Sequence, residues 1–184
     1  MNQRKIVALT APSGAGKTTL ARRVLAAFPE MQFSVSVTTR PPRDTERHGV
    51  DYYFVSANEF RRLIEVDALV EYEEVYPGRF YGTLRSEFEG SGVPVLLDID
   101  VKGATRVQAA YSGLTIFVAP PSLEVLKARL QARATESGPA LEARLRRAEE
   151  ELAYAEQFDA VLINDDVERA ANDAISIIGR YLSK

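Results

Sequence analysis

Apolar positions come in two rhythms along this chain. Short continuous runs, "KIVALT" (5–10), "VPVLLDID" (93–100), "LTIFVAP" (114–120) and "AVLIN" (160–164), read as buried strands. "FSVSVTT" (33–39) alternates and predicts one further strand. Between them lie stretches with apolar residues at helical spacing. These are 17–28, with Leu20, Val24, Leu25 and Phe28; a short helix over 101–111; 123–133, which Ser122 can cap; 141–158; and 167–184. Ser56 followed by Glu59 is a capping-box signature for a helix over 56–66. "ALVEYEEVY" (68–76) and "FYGT" (80–83) flank Pro77-Gly78, a turn signal, so 34–84 predicts a small β-rich lobe. "ATESGPA" (134–140) reads as a loop, and no repeat or low-complexity segment interrupts the pattern.

Strands alternating with helices imply an α/β fold with a mostly parallel sheet covered on both faces. Ligands of such sheets sit at the carboxyl ends of the strands. The loops after residues 10, 98 and 163 all follow apolar strands and are expected to converge there. A chain of 184 residues, 46% of them hydrophobic, predicts a single domain with a real core. Its 26 acidic and 23 basic residues leave a net charge of −3, which argues against bulk nucleic-acid or membrane-surface binding. No cysteine, no signal-peptide pattern and no 18-residue apolar run are found, so a cytoplasmic protein without a membrane span is expected.

Chemistry enters at "APSGAGKT" (11–18), placed between a strand and a helix. This is the phosphate-loop pattern with Ala11 at its first position. Gly14 and Gly16 let backbone N–H groups wrap a polyphosphate, and the helix N-terminus adds partial positive charge. Ala11, Pro12, Ser13, Gly14, Ala15, Gly16, Lys17, Thr18 and Thr19 are thus candidate ATP contacts. Lys17 would reach the terminal phosphates and Thr18 would ligate Mg²⁺. An alanine fits the first position if its φ is negative. Asp98 ends the "VLLD" strand and suits Mg²⁺ binding, directly or through water. This much leaves kinase, GTPase and ATPase-driven machine open.

"VSVTTRPPRDTERHGVDYYF" (35–54) adds arginines on a proline-stiffened loop. A nucleotide kinase must hold a second anionic substrate against the donor, and arginine's planar fork suits that task. Arg40 and Arg43 are the candidates. Arg47 has no assigned role, and the lone His48 reads as exposed.

Taken together, "APSGAGKT", "SVSVTTRPPRDTERHGVDYYF", "EYEEVYPGRFYGT", "LLDIDVKG", "ARLQARATES" and "LINDD" resemble the guanylate kinase family in order and spacing over nearly the whole chain. The resemblance implies a P-loop kinase core over 1–33 and 85–184, a lid at about 129–147, and a GMP-binding lobe over 34–84. It implies that Arg40 and Arg43, with the hydroxyls of Tyr52 and Tyr81, bind the GMP phosphate, with Glu46 in support. It implies that Ser36, Glu71 and Thr83 read guanine, with Gly82, Asp98 and Asp100 nearby. A carboxylate at Glu71 would accept from guanine N1–H and the 2-amino group, and adenine lacks that donor pair. Arg133 and Arg144 would close over the transferring phosphoryl, making them catalytic beside Lys17 and Arg40. Arg129, Arg146 and Arg147 are read as belonging to charged, solvated helix faces. Asn164 would lie near the donor adenine. The implied reaction is ATP + GMP to ADP + GDP with Mg²⁺, with dGMP as a further acceptor and no obligate protein partner. A scaffold module that binds phosphopeptides through the same arginine and tyrosine pocket, and a kinase for another small phosphorylated acceptor, are the competing readings. The intact phosphate loop opposes the first, and the Ser36–Glu71 pair opposes the second.

Overall fold

The computed structural model describes residues 4–88, 92–132 and 139–184. The first half of the chain runs β1 (Ile6–Thr10), α1 (Lys17–Ala27), β2 (Gln32–Phe33), β3 (Val37–Thr38), β4 (Tyr53–Phe54), α2 (Ala57–Glu65), β5 (Leu69–Tyr76) and β6 (Arg79–Leu84). The second half runs β7 (Val95–Asp98), α3 (Val101–Ala110), β8 (Leu114–Ala119), α4 (Leu123–Ala132), α5 (Pro139–Leu152), β9 (Ala160–Ile163) and α6 (Val167–Leu182).

Five strands form a parallel sheet in the order β2-β7-β1-β8-β9. Every residue of β1 is buried, as a strand covered on both faces requires. Alternate side chains serve opposite layers. Val7, Leu9, Leu96 and Ile116 join Leu20 and Val24 of α1 and Ile178 of α6 on one side. Ile6, Ala8, Leu97 and Phe117 join Val107 of α3 and Phe158 on the other. Each fully buried leucine or phenylalanine contributes on the order of 1.5–3 kcal/mol, so this double-sided core is the fold's main support.

A second sheet, β4-β3-β6-β5, is mixed: β3 and β4 are parallel, and the other pairs are antiparallel. Phe60 of α2 plugs its apolar side against Val37 and Leu69. The Ser56 hydroxyl accepts from the Glu59 N–H at 3.1 Å and caps α2 as expected.

Two expectations need correction. The alternating run 33–39 is two strands, not one. Phe33 pairs with β7, and the Ser34 N–H still donates to the Leu96 carbonyl at 2.9 Å. The Ser36 carbonyl then accepts from Tyr53, and Val37 pairs in the second sheet. The run therefore bridges the two sheets, and Ser36 borders the cleft between them. The helix predicted over 141–158 ends at Leu152. There the Tyr154 N–H turns back to the Glu151 carbonyl, and a 3₁₀ turn follows.

Candidate active site

The parallel register sets Leu9 of β1 beside Asp98 of β7, so the loops after both strands open on one cleft. After β1 the chain turns with Gly14 at φ 94° and Gly16 at φ 95°, and Lys17 starts α1. Two features hold this loop. A Cβ on Gly16 would lie 2.3 Å from Asn164 Nδ2, and that amide donates to the Ala15 carbonyl at 2.7 Å. A Cβ on Gly14 would meet Leu130 at 2.9 Å, because α4 packs against the loop. Ala11 has no positive φ, so alanine fits the first position without strain. Ala15 is fully buried, whereas the other residues from Ala11 to Thr19 border the cleft.

Asn164 is not among the residues that line the cleft. It is buried beneath the loop with its amide committed to Ala15, its N–H to Ala119, and its carbonyl to Arg129 at 2.9 Å. It braces the phosphate loop through the Ala15 carbonyl. Arg129 accordingly supports that brace and is not a free surface charge.

Lys17 Nζ lies 2.5 Å from Asp98 Oδ1 and donates to the Ile99 carbonyl at 2.6 Å. The Thr18 hydroxyl is 3.4 Å from Asp98 Oδ2. Among the described residues no group of three or more His, Cys, Asp or Glu gathers as a metal cage. One hydroxyl and one carboxylate are hard oxygen donors of the kind Mg²⁺ takes when substrate phosphates and water complete its shell.

Across the cleft, Arg40 is buried in a cage of acceptors. Its Nε donates to the Tyr81 hydroxyl at 3.1 Å, Nη1 to Glu46 at 2.8 Å and to the Pro41 carbonyl at 2.7 Å, and Nη2 to Glu46 at 2.8 Å. Four of its five N–H donors are thereby used. Burial pushes Glu46 up, but its bonds to Arg40 and to the Arg43 N–H more than offset this and hold it below the ordinary carboxylate range. Arg43 is the exposed member, 3.6 Å from Glu46. Tyr52 stacks edge-on against Tyr81 and beneath Arg40, and burial raises its hydroxyl well above the ordinary value. It is a neutral hydrogen-bond donor facing the cleft. Arg47 is exposed, and its N–H donates to Asp51. His48 is exposed as read, and its Nδ1 accepts from the Phe54 N–H.

The hairpin of β5 and β6 carries the other end. Its register places Glu71 opposite Thr83, and Thr83 donates to Glu71 Oε1 at 2.6 Å. Glu71 is only 6% exposed. Burial raises its carboxyl to about 7, against the Thr83 bond that lowers it, and Asp100 adds to the rise. Ser36 and Gly82 border the cleft beside it. Asp100 caps α3 by accepting from the Gly103 N–H at 2.7 Å. A Cβ at Gly103 would lie 2.6 Å from Glu71 Oε2. Only glycine lets α3 approach the acid so closely, and residue-by-residue reading passed over it; its signal was the spacing of "DIDVKG".

Arg147 also departs from expectation. It borders the cleft, reaches Asp100 at 3.4 Å and Glu151 at 2.7 Å, and donates to the Val75 carbonyl. The charges of α5 flank its apolar stripe of Leu141, Leu145 and Ala148, and helical spacing alone does not say which of them turn toward the cleft. Arg144 lies over the Tyr76 ring at 5.8 Å. Arg133 and the centre of the predicted lid fall outside the described residues.

A phosphate loop at the carboxyl edge of a parallel sheet, facing a second sheet rich in arginine, tyrosine and a buried acid, defines a P-loop kinase of small phosphorylated acceptors. The family model described as guanylate kinase matches residues 3–181. A guanylate kinase of Salinibacter ruber is 54% identical, with all of both chains covered. One from Bacteroides thetaiotaomicron is 43% identical over 98% of this chain and 91% of its own. The crystal structure of guanylate kinase from Anaplasma phagocytophilum superposes with a TM-score of 0.79 at 33% identity, covering all of this chain and 89% of that one. The chain belongs to the guanylate kinase family.

Proposed function

We propose that this chain transfers the γ-phosphoryl group of ATP to GMP, giving ADP and GDP. The observation that carries the reading is the buried Glu71, tied to Thr83, which lines one cleft with the phosphate loop and with Arg40, itself tied to Glu46. A buried carboxylate with one oxygen tied to Thr83 has acceptor capacity left for guanine N1–H and the 2-amino group. With AMP it would stay unsatisfied. Because recognition rests on base and phosphate, dGMP is also an acceptor.

The phosphate-loop N–H groups and Lys17 hold the donor's β- and γ-phosphates. To do so, Lys17 moves its charge from Asp98 and Ile99 to the nucleotide. Arg43, the remaining N–H of Arg40, and the Tyr52 and Tyr81 hydroxyls hold the acceptor phosphate in line. Arg144, with Arg133, neutralises charge on the transferring group. The acceptor oxygen is already ionised, so no general base is needed. Mg²⁺ would be held by Thr18 and Asp98, the latter directly or through water, and supplies charge neutralisation at the phosphates. Absence of cysteine fits a reducing compartment, and we place the enzyme in the cytoplasm. Among the described residues no helix is long and apolar enough to cross a membrane.

ADP release from ATP with GMP, dGMP, AMP, CMP and UMP tests this. Turnover with GMP and dGMP, at least 10²-fold above the others, is expected. Turnover with none, or equal turnover with AMP, would refute it.

A further inference from the structure

Arg147 joins three parts of the cleft from helix α5. Its Nε donates to Glu151 Oε1 at 2.7 Å, one turn along the same helix. Its Nη1 donates to the Val75 carbonyl at the end of β5. Its Nη2 lies 3.4 Å from Asp100, the cap of α3. The guanidinium also covers the Tyr76 ring at 5.6 Å. Arg144, one turn earlier, covers the same ring at 5.8 Å. Both arginines thus use one aromatic platform, and Tyr76 ends β5 just before the Pro77-Gly78 turn.

Two cations on one ring repel, and a solvated pair would splay apart. The local acids and the Val75 carbonyl are arranged around Arg147. Its fork is therefore engaged by protein, which leaves it poorly placed to serve as a phosphate ligand. A planar guanidinium can meet a carbonyl, a helix cap and an i+4 carboxylate at once, whereas an ammonium presents a single point of charge.

We infer that Arg147 is a positioning residue of the phosphoryl transfer. It pins α5 to the end of β5 and to the Asp100 cap, and so sets where Arg144 stands over the cleft. This rests on reading Arg144 as the group that neutralises the transferring phosphoryl.

The test is a double-mutant cycle on kcat, run on the full chain with thermal melts as a check of folding. Arg147→Ala is expected to lower kcat roughly 10- to 100-fold, the scale on which a misplaced catalytic group costs turnover. KM for ATP should stay within about twofold, because the phosphate loop is untouched. In an Arg144→Ala background, removing Arg147 should cost less than about twofold, because its target is gone. Arg147→Gln replaces the alanine variant if that fails to fold. Unchanged kcat in Arg147→Ala, with loss in Arg144→Ala, overturns the inference alone. Equal losses from removing Arg147 in both backgrounds overturn it too, since Arg147 would then act independently of Arg144. Full activity in Arg144→Ala would overturn the underlying reading and the inference with it.

Discussion

The two ends of the cleft are built in opposite ways. On the function proposed above, the ligand-facing groups of the donor end are backbone N–H donors, presented by one continuous turn on an apolar, doubly covered sheet. At the acceptor end they are side chains from five places: Ser36, the 40–52 loop, β5, β6 and the start of α3. The first end is held by glycine conformation and by Asn164 from below. The second is held by side chains that satisfy one another, Arg40 with Glu46 in an ion pair and Glu71 with Thr83 in a hydrogen bond. Backbone recognition suits a polyphosphate shared by many donors. Side-chain recognition suits a base that must be told from its relatives.

That division can be broken in a graded way. Lys17→Ala should produce the largest effect, lowering kcat by about 10³-fold, the scale of losing a preorganised charge stabiliser. GMP affinity, measured by calorimetry without ATP, should stay within about twofold. An equal loss of GMP affinity would mean that the two ends are not separate.

Gly103→Ala comes next. Its methyl would intrude to 2.6 Å from Glu71 Oε2, so the acid or α3 must move. A fall of roughly 10- to 100-fold in kcat/KM for GMP is expected, with KM for ATP unchanged. An unaltered kcat/KM would show that the approach of α3 does not set the acid's place.

The smallest effect is on pH. Burial raises Glu71 to about 7, from an ordinary value of 4.5. If the ionised acid reads guanine, kcat/KM for GMP rises by about tenfold between pH 6 and 8, and Glu71→Gln abolishes that step. Stability has the opposite sign. Glu71's contribution to folding is fully present below about pH 4.5 and is lost as pH rises through about 7. Glu46 behaves conversely: its folded value is depressed, so its contribution is present above its unfolded value and is lost as pH falls through the lower one. Glu71→Gln should therefore melt higher than the parent at pH 8, with the gap closing toward pH 5. A constant gap would remove the buried-acid account.

The same division explains what could be read from the residues alone. The individual core strands and the phosphate loop were legible because their signals are local: a buried run, a glycine spacing, a helix start. That Glu71, Arg40 and Ser36 line one cleft was legible only from an ordered set resembling a family, because they are far apart in sequence. Three features were hidden. The run 33–39 alternates like one strand, and nothing in it marks the switch between sheets at Ser34–Ser36. The Asn164 amide supplies a buried donor to the Ala15 carbonyl, a bond across 149 positions that no periodicity reveals. Arg147 lies among the charges that flank the apolar face of its helix, and its inward turn depends on Val75 and Asp100, which are distant in the chain.

The central claim is that Glu71 reads the base through its two guanine donors. GMP and inosine monophosphate differ only in the 2-amino group, so their kcat/KM ratio isolates one of those bonds. The account predicts a strong preference for GMP in the parent enzyme and a ratio falling toward unity in Glu71→Gln. A ratio that Glu71→Gln leaves unchanged would contradict it.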